Sequence, residues 1–164
     1  VTMNSPGVTH GGASSSIRLA EYSGFEMVTA LANGSLPLPS MAETLPFALL
    51  PPAAEGEIQL RAKPEARFCN PLNTMHGGWI MTMLDTAMAL AAMTTLSRGE
   101  ICPSHETSAK FVRPIRVDSG EMHIIGQVVS RGRTVITLEG RIEDSQGRLH
   151  AHGTSTCLVM GQRP

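Results

Sequence analysis

The chain reads as an α+β protein, with one long apolar helix wrapped by a curved antiparallel sheet and a helical extension ahead of it. Three observations carry this expectation. Trp79 to Leu96 is an 18-residue run whose only charge is Asp85, and a helix apolar nearly all round has to be enclosed on most sides. Downstream, Arg133 to Glu143 alternates strictly, with Val135, Thr137, Glu139 and Arg141 against Ile136, Leu138, Gly140 and Ile142, the period of a strand with one buried face. Between them the order is helix, strand, long helix, then four strands joined by turns, a layered helix-on-sheet arrangement.

Taken in order, residues 1–22 read as a flexible tail, richest in Gly, Ser and Thr over Val1 to Ser16. Its Val-Thr-Met opening reads as two residues ahead of a native Met3. Residues 23–164 form one domain, the natural size for a single core. Ser23 to Ala32 has helical spacing, with Phe25, Val28 and Leu31 sharing a face, and Ser35-Leu36-Pro37-Leu38-Pro39 ends it. Met41 to Leu50 is mixed in character, closed by Pro51-Pro52. Glu57 to Phe68 is the first strand, Ile58, Leu60 and Ala62 lying on one side, and Cys69 to Met75 is a loop. The long helix runs from about Gly77 to Leu96 and stops near Arg98-Gly99. Ser104 to Arg113, Glu121 to Ser130, Arg133 to Glu143 and Arg148 to Met160 are the remaining strands, the last two joined by the tight turn Asp144-Ser145-Gln146-Gly147.

Bulk properties exclude several functions. With 41% hydrophobic and 16% charged residues the chain is globular, and a net charge of −1 leaves no footprint for nucleic acid. The apolar run is marginal in length for a membrane span, carries Asp85 and four threonines, and lacks basic flanks, so a buried soluble helix is expected. Cys69, Cys102 and Cys157 are widely spaced with no C-x-x-C pair. Together with the lack of a secretory pattern, this points to a reducing cytoplasm. None of the three reads as a thiolate nucleophile, since no basic neighbour pattern accompanies Cys102 or Cys157. The six histidines show no metal-ligand spacing beyond His150-x-His152, which reads as a surface or interface pair, so no metal is expected.

The chemistry concentrates at His76-Gly77-Gly78 and Asp85. An ionised carboxylate among apolar neighbours costs several kcal/mol unless something pairs with it or uses it. The two glycines offer backbone N–H groups at a helix start, a place that receives negative charge well. A base or nucleophile on the same helix as an oxyanion donor, eight residues on, suggests acyl chemistry.

Asn70, the His76-Gly77-Gly78 entry, Asp85 and the later segments FVRP, SRGRTVITLEGRIED and GRLHAHGTSTCLV together resemble the hotdog-fold acyl-CoA thioesterases of the phenylacetate-degradation (PaaI-like) type, over about Ser23 to Met160. The resemblance implies a hydrolase that cleaves an aryl-, arylacetyl- or medium-chain acyl-CoA without a cofactor. Its sites lie at a dimer interface, two per dimer, and many such dimers pair into tetramers. It assigns the Gly77 N–H to the thioester carbonyl and Asp85 of the other protomer to the role of base or nucleophile. Asn70 and His76 contact the thioester or the water, and Ser104 holds the water beside the acid.

Asn70 also reads simply as an Asn-Pro turn, and His76 as a loop-shaping hydrogen-bond partner. Arg113, Arg116, Arg131 and Arg133, at strand ends, read either as solvated rim charge or as contacts to the phosphates of coenzyme A, which suit the guanidinium fork. Met81, Leu84 and Met88 are candidates for lining an acyl pocket. Two rival readings are a non-catalytic acyl-CoA-binding protein and an acyl-CoA hydratase. Asp85 speaks against the first, and the lack of a D-x(4)-H pair at the helix entry against the second.

Overall fold

A computed structural model describes residues 21–161. The expected tail lies outside them up to residue 20, as do residues 162–164. Tyr22, assigned to that tail, packs against the core.

Helix α1 (Gly24–Ala32) starts at a capping box. The Ser23 hydroxyl accepts from the Glu26 N–H and the Glu26 carboxylate accepts from the Ser23 N–H. Its inward face is Gly24, Met27, Val28 and Leu31, with Phe25 half-buried beside it. A short α2 (Met41–Thr44) and a two-residue β1 (Ala48–Leu49) follow, in the stretch whose sequence was mixed. Strand β2 (Glu57–Ala62) buries Ile58, Leu60 and Ala62 as expected but ends six residues early. Pro64 lacks the N–H a ladder needs, and Ala66–Phe68 turns as a single 3₁₀ turn. The long helix α3 (Gly77–Thr94) is followed by β3 (Ser104–Phe111), β4 (Met122–Arg131), β5 (Val135–Glu143) and β6 (Leu149–Leu158).

All six strands form one antiparallel sheet in the order β1-β2-β4-β5-β6-β3. A row of glycines lets α3 lie close against it. Gly126, Gly140 and Gly153 are cross-strand neighbours on β4, β5 and β6. A Cβ on Gly126 would stand 2.3 Å from the Ala87 carbonyl oxygen, and one on Gly140 would meet the Met88 side chain at 3.0 Å. The helix therefore seats its Leu84, Ala87, Met88 and Ala91 face, all fully buried, in a groove made by missing side chains.

The enclosure, expected on most sides, leaves one side of α3 partly open. Met81, Thr82, Asp85, Thr86, Ala89 and Met93 form a half-buried stripe down the other side. The sheet ends at β3, whose outer edge pairs with no described strand and which exposes most of its residues. Leu84 and Met88, expected in a ligand pocket, face the sheet instead.

His150 is also corrected. It is 3% exposed, while His152 is exposed. The ladder shifts here, Ile142 pairing Ala151 and Glu143 pairing Leu149. His150 is the extra residue of this bulge, and its Nε2 lies 3.2 Å from Asp144 Oδ2. Asp144 also accepts from the Arg148 side chain at 2.7 Å and from the backbone N–H groups of Gln146 and Arg148. Burial opposes ionisation of the Asp144 carboxyl, but the Arg148, His150 and Gln146 hydrogen bonds outweigh it and hold the group well below the usual carboxylate range.

Candidate active site

The loop ahead of α3 is anchored at both ends. His76 N–H donates to the Phe68 carbonyl at 2.8 Å, and Met75 N–H to the Ile115 carbonyl at 2.8 Å. Inside it, Asn70 Oδ1 accepts from the Leu72 and Thr74 N–H groups while Nδ2 donates to Thr74 Oγ1. Its amide is thus largely spent on shaping the turn, leaving one Nδ2 proton for anything else.

His76 is the N-cap of α3, its Nδ1 accepting from the Gly78 N–H at 2.9 Å. A neutral ring making that bond carries its proton on Nε2, on an exposed side chain. Trp79 and Ile80 return their N–H groups to the His76 carbonyl. The Gly77 N–H is left without an acceptor among the described residues, at the positive end of an 18-residue helix. Phe111, at the far end of β3, lies against Gly77, 3.1 Å from where a Cβ would be.

Asp85 sits about two turns along α3. Thr107 Oγ1 donates to Asp85 Oδ1 at 2.8 Å, and Ser155 Oγ lies 3.0 Å from that hydroxyl while donating to the Glu106 carbonyl. Oδ2 has no protein partner among the described residues. The carboxylate is thus held by one oxygen and open at the other, the disposition a water-activating base requires. The hydroxyl beside the acid belongs to Thr107, a residue the sequence reading did not single out. Ser104 lies three residues earlier on β3, about 10 Å away along a strand, and its hydroxyl meets the Cys157 thiol.

Cys157 and Cys102 share a hydrogen bond that sequence spacing did not reveal. That bond, ahead of burial, pushes the Cys102 thiol up, and it pulls Cys157 down to about 7 against the opposing effect of burial.

Of the four arginines, Arg113 donates to the Leu149 carbonyl at 2.7 Å, and Arg131 pairs with the buried Glu100 at 3.3 Å and donates to the Gly132 carbonyl. Arg131 is therefore a structural cation first. Arg116 lines a cleft of about 370 Å³ with Cys69 and Asn73, beside the Asn70–His76 loop. Arg133 is exposed. A second cavity, about 310 Å³ and mostly apolar, lies between α1 and the C-terminal half of α3, lined by Tyr22, Met27, Ala89, Met93 and Cys102 among others. Among the described residues no group of three or more His, Cys, Asp or Glu side chains is placed to hold a metal ion, and no helix is long and apolar enough to cross a membrane.

A helix cradled by a curved antiparallel sheet, with an open carboxylate and a free helix-start N–H, defines the hotdog thioesterase fold. Residues 72–151 match the family model of the Thioesterase superfamily, and the architecture is the hotdog fold. It is similar to a candidate thioesterase, a phenylacetic acid degradation-related protein of Ralstonia eutropha, at 27% identity and a TM-score of 0.72, covering 80% of this chain and 98% of that one. It also resembles a Streptococcus mutans protein bound to acetyl-CoA, at 22% identity and a TM-score of 0.64 over 72% of this chain and 91% of that one. A candidate esterase of Saccharolobus solfataricus is 30% identical over 86 residues, 52% of this chain and 59% of the relative. The chain thus spans a little over half the length of the curated relative it matches.

Proposed function

We propose that the protein is an acyl-CoA thioesterase whose active site is shared between two copies of the chain. The carrying observation is the pair of open groups on α3, the unbonded Gly77 N–H and the free Oδ2 of Asp85. Eight residues separate them, about 12 Å along a helix axis. A carbonyl held by the Gly77 N–H at roughly 3 Å is therefore out of reach of water bound to Asp85 of the same chain.

A second copy supplies what is missing. The free edge of β3 is a template for antiparallel pairing with itself. Gly77 lies by Phe111, and Asp85 is bonded to Thr107. A two-fold pairing centred near Ala109 sets Phe111 opposite Thr107 of the second copy, so each Gly77 faces the other chain's Asp85. Two such sites arise per dimer, and pairing of dimers into a tetramer fits the same scheme.

In each site the Gly77 N–H receives the thioester carbonyl oxygen. Asp85 of the other copy takes a proton from water as the water oxygen bonds to the carbonyl carbon. The tetrahedral intermediate then collapses, the C–S bond breaks, and coenzyme A leaves as its thiol once it regains that proton. An oxyanion donor is typically worth about 3–4 kcal/mol of barrier. In this scheme the His76 Nε2–H and the spare Asn70 Nδ2 proton contact the thioester or the water from the Gly77 side. Arg116 and Arg133 are the cations best left over for coenzyme A phosphates, and the S. mutans relative's bound acetyl-CoA supports that ligand class.

The test is thiol release from a panel of acyl-CoA thioesters by the parent and by Asp85→Asn. The variant is expected to fold normally and lose about 10²–10⁴-fold in turnover. No release by the parent, or turnover by Asp85→Asn within about threefold of it, would overturn the reading.

A further inference from the structure

We propose that α3 acts as a ruler for a straight acyl chain of about eight to ten carbons, which runs from Asp85 into the apolar cavity beneath α1. This rests on the thioesterase reading above and names the substrate class of that same site. The stripe that carries Asp85 continues through Ala89 to Met93, one helical face at four-residue steps. Both residues line the 310 Å³ cavity, together with Met27 of α1 and Cys102 beyond α3. Its size is at the lower end of ordinary ligand pockets.

Helix geometry converts position into chain length. Ala89 lies about 6 Å and Met93 about 12 Å beyond Asp85 along the axis. An extended chain of tetrahedral single bonds advances about 1.2 Å per bond. With the carbonyl carbon at Asp85, Ala89 is reached near the fifth bond and Met93 near the tenth. A phenylacetyl group ends close to Ala89 and leaves the cavity between Met27 and Met93 unfilled. Filling that space with methylenes removes apolar surface on both sides from water, worth about fourfold in affinity per methylene.

The floor of the cavity is tied to the end of α3. The Gly24 N–H donates to the Leu96 carbonyl at 2.9 Å, and a Cβ on Gly24 would stand 1.7 Å from the Met93 carbonyl oxygen. α1 is thereby locked onto the end of α3, and the ion pair Glu26–Arg98 at 3.0 Å closes the same junction.

The experiment measures kcat/KM for straight-chain acyl-CoA esters from butyryl to tetradecanoyl, and for phenylacetyl-CoA, with the parent, Ala89→Leu and Met93→Phe. For the parent, kcat/KM should climb by up to about 16-fold per two carbons to a maximum at eight to ten, above phenylacetyl-CoA. Ala89→Leu should move the maximum to about six carbons or fewer. Met93→Phe should cut decanoyl-CoA at least tenfold more than hexanoyl-CoA, a cut at a different depth from a different position. Should Ala89→Leu not fold, Met27→Ala serves instead and should move the maximum to a longer chain. Hydrolysis with the same chain-length profile in every variant, or a parent preference for phenylacetyl-CoA, overturns the ruler and leaves the thioesterase reading standing. Hydrolysis of none of these esters overturns both.

Discussion

Gly126→Ala tests whether the glycine row positions α3. Alanine in place of glycine within a strand ordinarily stabilises by about 0.5–1 kcal/mol, because the unfolded chain loses freedom. Here the new Cβ would lie 2.3 Å from the Ala87 oxygen, 2.4 Å from its carbonyl carbon and 2.7 Å from the Met88 nitrogen. All three are backbone atoms, so no rotamer change relieves the contact. Restoring ordinary distances requires α3 and β4 to part by about 1 Å, and overpacking of this kind typically costs about 1–3 kcal/mol. The sign of the effect is therefore reversed relative to a generic strand glycine. For a domain of this size each kcal/mol moves the midpoint by about 2–4 °C. Thermal and urea melts of Gly126→Ala against the parent should show the loss, with Gln127→Ala, on the exposed face, within about 0.5 kcal/mol of the parent. Because Ala87 is two residues from Asp85, kcat should fall as well. A Gly126→Ala protein as stable as the parent, or more so, would refute the close approach.

Three further outcomes are expected. Thr107→Val, which keeps the shape and removes the donor to Asp85, should lower kcat by about 10–100-fold, the worth of a hydrogen bond to a charged group, whereas Ser104→Ala should change it less than about threefold; steady-state kinetics decide. Arg131→Ala should cost about 1–3 kcal/mol in a urea melt by leaving the buried Glu100 short of a partner. Arg133→Ala should leave stability within about 0.5 kcal/mol and raise KM for an acyl-CoA more than for a pantetheine thioester. Asp144 is held ionised in the folded state, so its contribution is present above the unfolded carboxyl pKa of about 3.9 and is lost as pH falls through the lower folded value. The melting temperature should accordingly drop below about pH 4 in the parent, and Asp144→Asn should be less stable at neutral pH with a flatter acid limb.

Much of the architecture was legible because strong periodicity survives tertiary context. The alternation over Val135–Glu143 and the apolar run after Gly78 each mark their element to within two residues at either end. β1 was illegible because two residues carry no period, and the end of β2 because the strand-like pattern reads on past Pro64 to Phe68. The open stripe on α3 is not legible because Met81, Ala89 and Met93 are as apolar as the residues facing the sheet. The inward glycines at 126, 140 and 153 were the available signal for which side the sheet occupies. At the site, Gly77, His76 and Asp85 stand out by type and spacing. Thr107 does not, since which hydroxyl of β3 meets Asp85 depends on the strand's register against β6, and Ser104 and Ser108 look equally eligible. His150 was misplaced for the same kind of reason, a one-residue bulge that no local pattern announces.

The shared site is most directly tested by mixing two inactive proteins. Gly77→Pro deletes the donor at a position that tolerates proline, the first residue of α3, behind a His76 already at φ −61°, ψ 142°. Asp85→Asn deletes the base. Subunits of the two are exchanged, the exchange is verified by mass spectrometry of the intact dimers, and acyl-CoA hydrolysis is measured. A mixed dimer holds one site with both lesions and one with neither, so activity should return toward half the parent's per mixed dimer. Verified mixed dimers without activity, while the parent hydrolyses the same ester, would contradict a site built from Gly77 of one copy and Asp85 of the other.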